Sequence, residues 1–219
     1  CTFCPVYKGT RFSLRPPEHV IRDIDAVHHY VTAIREAAGK NDPLAGPALR
    51  EIFDHSSIKD PVAFQAAVQW ASAPASRSVF LQDANSLMIK PQDLIDILTH
   101  LKRCFPWVER ITSYARSHTV ARIKDKDLKA MRNAGLNRIH IGLESGSNEV
   151  LKRVAKGVTQ ETHIEAGIKV KAAGMELSEY VIPGLGGKTL SAVHATETAD
   201  ALNRINPDFI RLRTLAIPN

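Results

Sequence analysis

Apolar runs of strand length alternate with helix-patterned segments along most of this chain, and that alternation restricts its fold more than any other feature. Runs at 78–82, 109–114, 138–143, 177–182 and 209–215 read as strands. Between them, 91–103, 127–134, 147–155, 160–173 and 190–202 read as helical. Strands that recur at intervals of roughly 28–40 residues, each gap filled by helix, are joined as βαβ units and build a parallel sheet. Two helix-to-strand joints repeat one pattern, Asn133-Ala134-Gly135-Leu136 and Ala172-Ala173-Gly174-Met175, in which a glycine supplies the left-handed helix cap and an apolar strand follows. Five strands are legible, and a sixth is expected ahead of Cys1. Periodicity leaves open whether the sheet closes into a barrel or stays an open doubly wound sheet.

The segment 18–39 reads as one more helix, with Val20, Ile24, Val27, Val31 and Ile34 at helical spacing and Gly39 as its stop. Residues 40–76 hold Pro43, Gly46, Pro47, Pro61 and Pro74, and are expected to form an insertion of short helical pieces. All 219 residues are read as a single core domain. With 44% hydrophobic and 24% charged residues it has enough apolar material for a core. No apolar run approaches the ~20 residues of a membrane span, and no signal-peptide pattern is present. The first residue is Cys rather than Met and 215–219 reads as a strand entering a loop, so sequence is expected to be missing on both sides.

The chain has three cysteines, Cys1, Cys4 and Cys104, an odd number that argues against a disulfide framework and for a reducing cytoplasm. Cys104, at an expected helix end, reads as a small buried apolar residue. The formal net charge is +6, and seven basic residues lie from Arg116 to Arg138 against only Asp125 and Asp127. No aromatic residue is interleaved for base stacking, so a solvated helix face is favoured there over a nucleic-acid footprint.

Parallel α/β folds carry their sites at the C-terminal ends of the strands. In this chain those ends are Gln82-Asp83-Ala84-Asn85, Ser113-Tyr114-Ala115-Arg116, Gly142-Leu143-Glu144-Ser145-Gly146 and Ile182-Pro183-Gly184-Leu185-Gly186-Gly187. The last strand adds Arg211 and Arg213 on one face. Carboxylate, amide, hydroxyl and guanidinium groups would converge on one glycine-walled pocket suited to a polar ligand with many contact points. Helix caps and turn glycines account for any single cluster, and less well for all of them together.

Cys1-Thr2-Phe3-Cys4 is a C-x-x-C pair, a spacing shared by zinc knuckles, redox dithiols and iron–sulfur sites. Zinc would want a second such pair or a His pair, and the adjacent His28 and His29 point about 100° apart on a helix. A metal-binding interaction domain without catalysis stays open as a rival. Gly184-Leu185-Gly186-Gly187-Lys188-Thr189 ends like a phosphate-binding loop, yet Ile182 stands where such a loop needs its first glycine.

With these residues in order, the chain resembles the radical S-adenosylmethionine (SAM) superfamily. The signature of that family is C-x3-C-x2-C with an aromatic residue before the last Cys. Phe3 fits the aromatic position, and Cys1 and Cys4 match the second and third ligands. The first would lie four residues ahead of Cys1. The segments 141–147, 150–153 and 156–159 resemble the fourth-strand region of the branch that includes coproporphyrinogen dehydrogenases, tRNA methylthiotransferases and the Elongator-type acetyltransferase. The segment 181–189 resembles the motif of that branch that lies against the adenine.

The resemblance implies a partial (β/α)6 barrel with parallel strands and helices outside. It also implies two cofactors, a [4Fe–4S] cluster held by Cys1 and Cys4 and SAM on the open iron. Reductive cleavage of SAM to a 5′-deoxyadenosyl radical would then abstract hydrogen from an unknown substrate. By residue, Glu144 is expected to bind the ribose hydroxyls with Ser145 beside it, and Lys156 to pair with the SAM carboxylate. Ile182, Gly184 and Leu185 would form the adenine wall. The usual G-G-E that receives the methionine amino group is absent, and Asp83 and Asn85 are assigned in its place. Ser113 and Arg116 would complete the pocket floor, with Arg213 at the same mouth. A flavodoxin- or ferredoxin-like electron donor is the expected partner. An RNA-modifying member is the alternative reading.

Overall fold

The computed structural model describes residues 1–4, 9, 11, 13–38, 58–71, 76–82 and 84–215. In chain order these form α1 (Pro17–Ala38), α2 (Pro61–Ala71), β1 (Ser78–Leu81), a 3₁₀ turn (Ser86–Met88), α3 (Pro91–Cys104), β2 (Arg110–Ala115), α4 (Ser117–Arg122) and α5 (Asp125–Asn133). There follow β3 (Leu136–Glu144), α6 (Asn148–Arg153), α7 (Gln160–Ala172), β4 (Glu176–Val181), α8 (Ser191–Ile205) and β5 (Phe209–Leu212). The chain divides into two compact units, one made of Cys1–Ser13, Val79–Ile95 and Arg110–Asn219, the other of Leu14–Ser78 and Asp96–Glu109.

All five expected strands form, in one parallel sheet of order β1-β2-β3-β4-β5. Strands in sequence order with helical crossovers on the outside build a partial (β/α) barrel wall rather than a doubly wound sheet, in which the order would reverse. β3 is the central strand and carries the deepest side chains. Leu136, Ile139, Ile141 and Leu143 have no solvent exposure, and each such burial contributes about 1.5–3 kcal/mol. The crossover helices bury Leu128, Met131, Leu151, Ile164 and Val170 in turn. At the two expected glycine joints, φ is 117° at Gly135 and 79° at Gly174, the left-handed conformation the sequence pattern requires.

α4 has no counterpart in the sequence reading. It is only six residues long, and its start is set by a distant residue: Asn85 Oδ1 accepts from Arg116 N at 2.9 Å, and Asn85 Nδ2 donates to Thr119 Oγ1 at 3.0 Å. β5 stops at Leu212, short of the expected 215. Of the expected insertion at 40–76, residues 61–71 form α2, whereas most of the remainder lies outside the described residues.

In the second unit, α1 and α2 pack through Tyr30, Val31, Ile34, Ala63 and Ala67. Asp60 starts α2 by accepting from Val62 N at 3.1 Å and Ala63 N at 3.0 Å. Trp70 and Phe105 bring their ring centres to 4.7 Å. No described helix is long and apolar enough to cross a membrane.

Candidate active site

The C-terminal end of β3 is bent out of strand geometry at one residue. Ser145 N donates to Leu143 O at 2.7 Å, closing a three-residue turn centred on Glu144, whose φ is 62°. A positive φ in such a turn is the strained form for a residue with a Cβ, and strain of this kind collects at functional sites. The β3–β4 ladder shifts register between Gly142 and Glu144, and Ile182 N donates to Glu144 O at 3.1 Å, so the turn is held from the neighbouring strand.

The Glu144 carboxylate is thereby turned onto the inner face of the sheet. Its Oε1 lies 3.1 Å from Lys156 Nζ, with side-chain exposures of 15% and 14%, so the pair is largely shielded from water. Gly142 makes this possible: a Cβ there would run into the Glu144 carboxylate and crowd Lys156 Nζ. Lys156 leaves α6 through a turn in which Ala155 has φ 50° and Gly157 φ 73°.

Glu144 and Lys156 line a cavity of about 830 Å³ in the first unit. Cys1, Phe3 and Cys4 close it from the N-terminal segment. That segment is fixed by a Thr2 N to Val154 O hydrogen bond of 2.9 Å and by packing of Phe3 against Val150, Val154, Ile182 and Leu185. β2 and the start of α4 supply Tyr114, Arg116 and His118, and β4 supplies Tyr180 and Ile182. Arg213 reaches in from beyond β5, its guanidinium 4.8 Å from the centre of the Tyr180 ring.

Of the residues expected from the sequence, the structure brings Cys1, Cys4, Arg116, Glu144, Lys156, Ile182 and Arg213 to this one cavity. Lys156, expected to pair with the SAM carboxylate, is paired here with Glu144. Ser113, Ser145, Asn85, Gly184 and Leu185 are not in the lining. Ser113 is fully buried and alternates with Tyr114, which takes the cavity side of β2. Ser145 is buried with its Oγ 2.8 Å from His194 Nδ1 and accepts from Ser147 N at 3.0 Å, tying the strand end to α8. Asn85 is engaged with the start of α4. Gly184 is exposed, and Leu185 belongs to the apolar cluster behind Ile182. Asp83 lies outside the described residues.

Tyr180 was missed from the sequence, and Gly142 and Tyr114, though within the strand-end clusters, were given no role of their own; each of the three stands two residues before a predicted site residue. Stepping back by the strand period from Glu144, Arg116 and Ile182 would have found all three. A hydrogen bond shared with Tyr180, then burial, pushes the Tyr114 phenol up, with Arg213 and Arg211 opposing. Burial and the charges of Arg116 and Arg122 hold His118 below its ordinary value. Beneath the cavity floor, burial first and then Arg211, Arg138 and Arg213 lower His140 to about 4, so it stays neutral near pH 7. Among the described residues, the lining offers the basic side chains of Arg116, Lys156 and Arg213 and the carboxylate of Glu144. That is a donor-rich setting for a ligand bearing both an anionic group and hydroxyls.

A family model described as the radical SAM superfamily matches residues 1–198. The chain belongs to the radical SAM superfamily. Its relatives are enzymes, and a [4Fe–4S] cluster and SAM are the cofactors of this family. Among solved structures, coproporphyrinogen III oxidase from Escherichia coli superposes with a TM-score of 0.59 at 14% identity, over 99% of this chain and 41% of that one. Methylornithine synthase superposes with a TM-score of 0.55 at 13% identity, over 99% of this chain and 49% of that one. Both show a common fold. Among curated proteins, the tRNA uridine(34) acetyltransferase of Methanocaldococcus infernus is 30% identical over 86 residues, 39% of this radical SAM chain and 16% of the relative. The chain thus spans less than half the length of either of these solved chains.

Proposed function

We propose that this chain is the cofactor-binding core of a radical SAM enzyme in which Cys1 and Cys4, with a third thiolate four residues ahead of Cys1, hold a [4Fe–4S] cluster. SAM fills the cavity beside them. The observation that carries this reading is the strained Glu144 turn, which aims a carboxylate into the same cavity that the two cysteines close. The donor set suits the ligand. Glu144 offers acceptors to a ribose diol, Lys156 and Arg213 offer positive charge to a carboxylate, and Ile182 with Val158 offers an apolar wall to the adenine. Lys156 also orients Glu144 through their ion pair. Reductive cleavage of SAM to a 5′-deoxyadenosyl radical, with hydrogen abstraction from a substrate, is the chemistry these cofactors supply. A small flavodoxin- or ferredoxin-like donor would deliver the electron, and the reducing cytoplasm suits both the cluster and the unpaired cysteines.

An RNA-modifying role is the second reading. It rests on the exposed Lys124, Lys126 and Lys129 of the α5 region and on the similarity to the tRNA uridine(34) acetyltransferase.

The test is 5′-deoxyadenosine formation by the anaerobically reconstituted full-length protein with dithionite and SAM. Product that requires a filled cluster supports the reading. A filled cluster and bound SAM without product would contradict it.

A further inference from the structure

We propose that Asp25, His100 and Cys104, none of which lines the cavity, form a binding site for a divalent transition-metal ion of the zinc class. His100 and Cys104 stand one turn apart on α3 and so share a face, and Asp25 comes to them from α1. His100 Nε2 lies 2.6 Å from Asp25 Oδ1 and 3.5 Å from Cys104 Sγ, and Sγ lies 4.0 Å from Oδ1. Bonds of zinc length in a tetrahedron set neighbouring ligand atoms about 3.3–3.8 Å apart. Two of the three edges are already close to that. The third, between Asp25 and His100, widens when the Asp25 carboxylate swings outward, and with 54% of its side chain exposed it is free to do so.

The ligand types select the ion. Thiolate, imidazole and carboxylate together suit a borderline-soft cation, whereas magnesium and calcium want oxygen alone. Burial and the Asp25 charge raise the Cys104 thiol above its ordinary value, with Arg103 opposing, so ligation requires the thiol to give up its proton as the ion binds. Arg103 Nη2 lies 2.8 Å from His100 Nδ1, so in the metal-free protein the imidazole proton sits on Nε2 and is shared with Asp25. When the ion binds, Nε2 gives its lone pair to the metal, Nδ1 carries the proton, Arg103 turns aside and Cys104 releases its proton to water. Three protein ligands leave a fourth position for water. The site would clasp the end of α3 to α1.

Cobalt(II) chloride tests this in the Cys1→Ala/Cys4→Ala variant, where Cys104 is the only thiol left among the 219 residues. The expected result is about one cobalt per chain, a thiolate-to-cobalt charge-transfer band in the near ultraviolet, four-coordinate visible bands, and displacement by zinc. Adding Cys104→Ser abolishes the charge-transfer band, and Asp25→Asn or His100→Gln weakens binding about tenfold or more. A correctly folded protein by circular dichroism with no such band would overturn the proposal. So would a band that survives Cys104→Ser, or affinity untouched by the Asp25 and His100 changes. Zinc content of the otherwise unmutated chain gives a second reading: Cys104→Ser should lower it by about one equivalent, and equal content in both forms would count against the site.

Discussion

Gly142 and Glu144 are neighbours on one face of β3, and the missing Cβ of the first is the space into which the carboxylate of the second folds to reach Lys156. A methyl group at 142 and the observed Glu144 position are mutually exclusive. Gly142→Ala therefore displaces the carboxylate, at an overpacking cost of about 1–3 kcal/mol in stability. SAM affinity should fall about tenfold, measured by calorimetry beside a thermal melt. Native affinity in this variant would mean that the carboxylate position is unimportant.

Glu179 sits on the opposite face of β4 from Tyr180, fully buried and without a side-chain hydrogen-bond partner among the described residues. Burial pushes its carboxyl well above the usual range, with the Lys156 charge opposing and the Glu144 charge adding to the rise. The folded protein thus keeps a proton that the unfolded chain loses above about pH 4.5. The sign follows: Glu179 subtracts stability as pH rises from 4.5 toward its folded value. Glu179→Gln should remove that loss, so its stabilising effect grows with pH, by up to about 1.4 kcal/mol per unit. Urea unfolding at pH 5, 6 and 7 measures it, and parallel curves for the two proteins would contradict it.

The strand count, the parallel order and the two glycine joints were legible because each rests on local chemistry: apolar period, helix length and a left-handed cap. The barrel type was not legible from periodicity, since it depends on which strands become neighbours, and came from the family resemblance instead. As cavity-lining residues, Glu144 and Lys156 could be read from motif position and Arg213 from alternation along the last strand. Ser113 and Ser145 could not be sorted, because whether a serine faces the cavity or the helices depends on strand phase, and the bulge at Glu144 changes that phase within one residue. The pairing of Lys156 with Glu144 depends on how α6 returns the chain, and no spacing rule encodes it. α4 was hidden for the same reason: its start is fixed by Asn85, more than thirty residues earlier.

Two thiolates cannot ligate three irons of a cubane, so the 219-residue chain by itself should hold a cluster poorly after anaerobic reconstitution. A form extended upstream to include a third cysteine should reach about four irons per chain, with a broad absorbance near 400 nm. Equal iron in the two forms would remove Cys1 and Cys4 from the ligand set.

The most direct test is SAM binding by Glu144→Gln. The substitution keeps the shape of the side chain, so the turn, the Gly142 contact and the cavity wall are retained. It removes the charge that strengthens hydrogen bonds from ribose hydroxyls, each worth about 1.5–3 kcal/mol. Titration calorimetry on the reconstituted full-length enzyme, with iron quantified in the same samples, should give SAM affinity lower by about tenfold or more at unchanged cluster content. Unchanged SAM affinity at full iron content would contradict the account.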